Sequence, residues 1–232
     1  MTDWQAFYDI QSDQADLHPR LDDVVSTHVN TPFLKPISPL QRHLFDHVMS
    51  QVDGPLVLDC GCGTGMSTQI LAKRFPSATV VGLDQSLHRL ERHPLFRSAA
   101  ALPMAQEGNL ILVQADVVAW WQLIAEHAVR VHQACFYYPN PWPKAKHLQR
   151  RWHGHAIWPL VCGGAEHVVM RTNWWLYAKE WQRALSCCQR QAELRTVAVT
   201  TMGAISLFER KYAQAHVSCY EVESVATMAE TV

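Results

Sequence analysis

No run of about 18 apolar residues occurs in this 232-residue chain, so no membrane-spanning helix is expected. The opening Met1-Thr2-Asp3-Trp4-Gln5 lacks a basic stretch leading into an apolar core. A signal peptide is therefore not expected either, and a cytosolic protein is. Cys-x-x-Cys pairs are missing too. Seven cysteines, an odd number, suit reduced thiols in a core better than a disulfide framework or a zinc site, and no metal is expected. Internal repeats and low-complexity tracts are absent. So is acid from residues 127–165, although Arg130, Lys144, Lys146, Arg150 and Arg151 all lie there.

A net charge of -1 averages this pattern away. Residues 1–30 carry Asp3, Asp9, Asp13, Asp16, Asp22 and Asp23 against Arg20 alone. The acid-free stretch offers a local positive field suited to phosphates. Its plainer alternative is a solvated face whose neutralising acids lie elsewhere in space.

With 48% hydrophobic residues the chain can bury the core of one α/β domain. Residues 1–38 are polar and broken by Pro19, Pro32 and Pro36, and read as an N-terminal arm or irregular cap. The domain proper is expected from 39 to 232, opening with a helix over 40–51 that Asp53-Gly54-Pro55 stops. Strand-like apolar runs at 56–60, 79–83, 110–114, 133–138 and 167–170 then alternate with helical patterns at 66–74, 86–93, 117–127 and 174–190. This alternation predicts right-handed βαβ units and a mostly parallel central sheet with helices on both faces. Two β-rich runs, 194–200 and 216–222 around a short link at 207–212, predict an antiparallel C-terminal edge. Trp174 and Trp175, opening the last long helix, are expected in the core.

Residues 56–65 form an apolar strand running into Asp59-Cys60-Gly61-Cys62-Gly63-Thr64-Gly65. Glycine at every second position lets backbone pass close under a ligand at positive φ. A dinucleotide site wants Gly-x-Gly-x-x-Gly over a pyrophosphate. Gly-x-Gly-x-Gly with an acid two residues earlier suits S-adenosylmethionine, which has no phosphate to cradle. Asp59 would face that cofactor's positive amino-acid end, directly or through water. Asp84, with Gln85 beside it, ends the next strand where ribose hydroxyls would lie, and Asp116 follows the third strand near the adenine amino group. Acids at three successive strand ends line the carboxyl edge, where open α/β sheets bind ligands. Helix capping is the alternative role of each. Cys60 and Cys62 are expected as packing residues.

The most informative stretch is 137–153, a proline-aromatic loop opening into the basic patch. Its core is Tyr138-Pro139-Asn140-Pro141-Trp142-Pro143-Lys144-Ala145-Lys146-His147-Leu148-Gln149-Arg150-Arg151. In this stretch, in Arg171-Thr172-Asn173-Trp174 and in Ser206-Leu207-Phe208-Glu209, the chain resembles the bacterial tRNA (guanine-N7)-methyltransferases from about residue 56 to 220. The resemblance implies a Rossmann-like class I methyltransferase fold, S-adenosylmethionine as cofactor and tRNA as partner. It implies methyl transfer to N7 of a variable-loop guanine. Asn140, Asn173 and Ser206 stand where that family has aspartate, aspartate and threonine. The implied roles are base orientation for Asn140 and substrate contact for Lys144, Asn173, Ser206, Phe208 and Glu209, the last hydrogen-bonding guanine. Lys146, Arg150 and Arg151 would meet the tRNA backbone. Trp142 either stacks on a base or fixes the loop. Another RNA or base position, and a non-catalytic binding paralogue, are the alternative functions; monomer and homodimer both stay open.

Overall fold

A computed structural model describes residues 8–97 and 102–225. In chain order it holds helices α1 (Leu21–Val29) and α2 (Pro39–Met49), strand β1 (Leu56–Cys60), α3 (Met66–Arg74) and β2 (Thr79–Asp84). The one-turn helices α4 (Leu87–Leu90) and α5 (Pro94–Arg97) follow, then β3 (Met104–Glu107), β4 (Leu110–Gln114), α6 (Val117–Glu126) and β5 (Val131–Tyr137). Two 3₁₀ turns, Ala145–Arg150 and Trp152–Gly154, lead to α7 (Trp158–Gly164), β6 (Ala165–Thr172), α8 (Trp175–Cys187), β7 (Ala192–Val197), α9 (Leu207–Gln214) and β8 (Cys219–Val225). No described helix is long and apolar enough to cross a membrane.

Two compact units divide the chain. The first takes in 34–137 and 164–166. Its strands run in the order β3-β4-β2-β1-β5, parallel throughout β4, β2, β1 and β5. Every residue of β1 and β2 is buried, which is why both read as continuous apolar runs rather than alternating ones. The register sets Asp59 beside Gly82 and Asp84 beside Gln114. Helix α6 buries Trp120 and Trp121 completely, and Phe45 of α2 meets the Trp120 ring edge-on at 5.4 Å. Strand β3, which no expectation covered, pairs antiparallel with β4 through a tight turn at Gly108 (φ 56°). Four residues are too few for a period to stand out.

The second unit takes in 8–33, 138–163 and 167–225. Strand β8 lies between β6 and β7, antiparallel to both, so the expected antiparallel C-terminal strands are present. Tyr177, Trp181 and Leu185 of α8 form the core, with Trp158 edge-on to Trp181 at 4.7 Å. Three expectations need correction here. The arm is not irregular throughout, because Leu21, Val24 and Val25 form the buried face of α1, a helical spacing masked by the prolines around it. The link at 207–212 is helix α9, with Ser206 as its cap. Trp174 is buried as expected, but Trp175 is 47% exposed, its ring tilted against Tyr220 at 5.0 Å.

Candidate functional site

In the first unit the glycine turn hangs from the end of β2. Gly61 and Cys62 N–H groups donate to Leu83 O at 2.8 and 3.0 Å, and Gly63 N–H donates to Asp84 Oδ2 at 2.8 Å. Gly61, Gly63 and Gly65 all have φ between 60° and 84°. Side chains built on Gly61 or Gly63 would meet nothing within 4 Å, so the backbone of the turn faces open space. At Gly65 a side chain would press on Leu112 and His93, which identifies it as a packing position at the start of α3.

Asp59 lies beneath this turn, only 1% exposed. Its Oδ2 accepts from Ser67 Oγ (2.5 Å) and Thr68 Oγ1 (2.7 Å) at the start of α3, while Oδ1 is buried with no hydrogen-bond partner among the described residues. Burial raises its pKa to about 6 against the opposing Ser67 and Thr68 hydroxyls, with help from the nearby Asp84 charge. A carboxylate with one unanswered buried oxygen, beside bare glycine backbone, fits a small cationic group. Asp84 spends Oδ1 on Ser86 N–H (2.8 Å) and faces Arg89 at 3.7 Å. Each of its oxygens keeps a further lone pair for a ribose hydroxyl. Asp116 caps α6, its Oδ1 accepting from Val118 N–H (2.9 Å) and Gln85 Nε2 (3.2 Å), and Oδ2 pairs with Lys35 at 3.3 Å. Cys60 and Cys62 are buried in the turn, and burial pushes both thiols well above the usual range, as suits packing residues.

The basic loop belongs to the second unit. Asn140 is exposed, and its Oδ1 accepts from Trp142 N–H at 3.2 Å. Tyr138 and Trp142 hold φ of 53° and 46°, left-handed values that cost such bulky residues roughly 1–3 kcal/mol each. Several contacts enforce them. Tyr138 N–H donates to Arg171 O (2.8 Å) and its hydroxyl to Glu209 (3.0 Å); burial, then the Glu209 charge, pushes the phenol upward and keeps it a donor. Trp142 lies under the Arg150 guanidinium at 4.9 Å and edge-on to His147 at 5.6 Å, so its ring is engaged in fixing the loop. Lys144, Lys146 and Arg150 are exposed, as phosphate contacts require.

Arg151 and Glu209 are corrections. Arg151, expected on the tRNA backbone, is fully buried; it pairs with Glu180 of α8, donates twice to Trp142 O and stacks on Trp174 at 5.0 Å. Glu209, expected to bond guanine, is also fully buried, accepting from Arg171 at 2.9 Å and from Tyr138. Each faces inward, where a partner of opposite charge answers it. Ser206 Oγ accepts from Glu209 N–H (3.1 Å), Asn173 Nδ2 donates to Tyr8 O (3.2 Å), and Phe208 is 56% exposed.

Sequence reasoning missed Glu180, Ser67, Thr68 and Gly82. Glu180 accepts from Gln14 and His18 N–H through Oε1 and from Arg151 and His153 through Oε2, joining residues far apart in sequence. No local pattern announces such a hub. Gly82 did carry a signal, as an isolated glycine within an apolar strand often marks close backbone approach. A side chain there would lie 2.3 Å from Thr68 Oγ1.

The family described as "Putative methyltransferase" matches residues 53–222, from just before the Asp59 turn through most of β8. The chain belongs to this methyltransferase family. Among relatives, a tRNA (guanine-N(7)-)-methyltransferase of Acinetobacter baylyi is 28% identical over 63% of this chain and 56% of its own length. One of Mycobacterium ulcerans is 37% identical over 43% of this chain and 34% of its own. The chain thus spans about half or less of the relatives it matches. Solved structures of an antibiotic-related methyltransferase and of a 16S rRNA (adenine(1408)-N(1))-methyltransferase variant from Catenulisporales acidiphilia, the latter with cosubstrate SAM, superpose with TM-scores of 0.55 and 0.54. Both are 15% identical, covering 82% and 86% of this chain and 96% of each of theirs. That likeness establishes the class I methyltransferase fold for this family member.

Proposed function

We propose that the chain transfers a methyl group from S-adenosylmethionine to N7 of a variable-loop guanine in tRNA. The observation that carries this reading is the acid-free loop, where Asn140 and the exposed Lys144, Lys146 and Arg150 are held by a strained, multiply anchored backbone. The Asp59 turn supports the cofactor half, and the activity named for the relatives supports the substrate half.

When bound, S-adenosylmethionine supplies an electrophilic methyl on a sulfonium. Asp59 would answer the cofactor's ammonium, Gly61 and Gly63 would let it lie close to the backbone, and Asp84 and Asp116, with Gln85, would hold ribose and adenine. Guanine N7 carries a lone pair and no proton, so no residue of the chain has to act as base. Positioning is the main demand, and it can supply on the order of 7 kcal/mol in favourable cases. Asn140 would orient the base, because Oδ1 keeps one lone pair beyond its bond to Trp142 for guanine N1–H or the 2-amino group. Asn173, Ser206 and Phe208 would support substrate binding, with Ser206 acting as the cap of α9. Lys144, Lys146 and Arg150 would take backbone phosphates. The reading puts the protein with its substrate in the cytoplasm.

The test is methyl transfer from labelled S-adenosylmethionine to unmodified tRNA transcripts that differ only at the variable-loop guanine, followed by nucleoside analysis. The reading predicts 7-methylguanosine that vanishes when that guanine is replaced. A methyl on another atom would redirect the assignment to a different base position. Cofactor and RNA binding without any transfer would favour a non-catalytic paralogue, to which the asparagines at 140 and 173 would then point.

A further inference from the structure

A small cavity of about 180 Å³ opens in the second unit where the start of α1 meets the basic loop, lined by His18, Arg20, Val24, Lys146, Leu148 and Gln149. Ala145 completes the lining, and no carboxylate belongs to it. His18 Nδ1 accepts from Arg20 N–H at 3.1 Å, which leaves Nε2 as the ring's donor. Arg20 and Lys146 have no ion-pair partner among the described residues, and both are exposed.

That lack of a partner is notable because this segment is the acidic one. Three of its five described carboxylates have partners of their own. Asp13 accepts from Ala145 N–H at 2.7 Å, Asp16 accepts from Leu17 N–H and faces Lys179 at 3.9 Å, and Asp22 pairs with Arg183. Asp9 and Asp23 are exposed, the latter in the first turn of α1, and neither lines the cavity. The only arginine or lysine of residues 1–30 thus lines one cavity together with a loop cation, and no carboxylate lines it with them.

We propose that this cavity holds a backbone phosphate of the RNA substrate, gripped by Arg20 and Lys146 with Gln149 and His18 as further donors. Val24 and Leu148 would pack the attached sugar. The inference rests on the tRNA reading and extends it to the N-terminal segment, whose bulk charge would argue against RNA. Helix α1 then acts as one jaw of a clamp and the Ala145–Arg150 turn as the other. Asp13 holds the second jaw in place by taking the N–H of Ala145.

The experiment is fluorescence anisotropy of a labelled, unmodified tRNA transcript with wild type, Arg20→Glu, Arg20→Lys and Lys73→Glu, from 50 to 200 mM salt. Lys73, exposed on α3 of the first unit, controls for general charge. Arg20→Glu is expected to weaken binding about tenfold at low salt and to lower the slope of log affinity against log salt by about one. Arg20→Lys should keep most of the affinity, and Lys73→Glu should change little. Binding of S-adenosylmethionine should be the same in all four, which separates a lost phosphate contact from misfolding.

Equal RNA affinity in wild type and Arg20→Glu overturns the inference and leaves the tRNA reading standing. Absence of tRNA binding in wild type overturns both. Thermal stabilisation by millimolar inorganic phosphate that disappears in Arg20→Glu, while RNA affinity stays unchanged, would mean a free-phosphate site and also overturn the RNA assignment.

Discussion

Asp59 is an acid that the fold keeps from water, and its protonation sets a pH dependence. Because burial raises its pKa to about 6, the folded protein holds this proton more tightly than the unfolded chain does. Its contribution favours folding below the ordinary carboxylate value and is lost as pH rises through about 6. A cationic ligand reverses that preference. Affinity for S-adenosylmethionine, measured by calorimetry from pH 5 to 8, should therefore rise with a midpoint near 6. Asp59→Asn should bind at least about tenfold more weakly, with a flat profile, since it cannot supply a charge-assisted contact. At Asn140, replacement by alanine removes the acceptor that holds Trp142 N–H and frees a left-handed residue. We expect kcat to fall about 10- to 100-fold while the Kd for S-adenosylmethionine is unchanged, and Asn140→Asp, which keeps the acceptor, to retain activity. Single residues were legible in sequence where spacing alone placed them. Asp59, Asp84 and Asp116 sit at strand ends because the βαβ rhythm puts them there. Arg151 and Glu209 were misjudged because their orientation depends on Glu180, 29 residues further on, and on Arg171, 38 residues back.

Elements show the same division. Strands β1, β2 and β4 were readable because continuous apolar runs reflect burial on both faces of a parallel sheet. Helix α1 was not, since its three buried residues stand among acids and prolines. How closely α3 approaches β2 was equally hidden, and it governs the Asp59 site. Thr68 can reach Asp59 only because Gly82 has no side chain beneath it. Gly82→Ala should force α3 outward and cost about 1–3 kcal/mol in denaturant unfolding. It should also weaken S-adenosylmethionine binding, because Thr68 is drawn off the carboxylate. A variant with reduced stability but unchanged cofactor affinity would separate packing from the site and refute that link.

Across the whole chain, near-neutral charge conceals a segregation that the fold puts to use. Carboxylates of the N-terminal segment and of α8 are matched to the second unit's buried or structural cations, and Lys144, Lys146 and Arg150 remain exposed. Glu180 is the centre of that economy. Burial pushes its carboxyl up, but the His153 hydrogen bond and the Arg151 charge outweigh it and hold the pKa at about 2, while burial keeps His153 itself below its usual value. A depressed acid stabilises the fold above its ordinary value near 4.5, and that share is lost as pH falls toward 2. Glu180→Gln strands the buried Arg151 charge and sets an amide N–H₂ among four donors. It should cost about 3 kcal/mol or more at pH 7 and flatten the acid limb of the stability profile. Since Glu180 also anchors Gln14 and His18, the variant should be cut faster by protease near residues 8–18. Urea unfolding from pH 3 to 7 provides the check. A variant within about 0.5 kcal/mol of wild type, with an unchanged acid limb, would mean that Arg151 finds its compensation elsewhere, and the case for the loop being locked from α8 would fall with it.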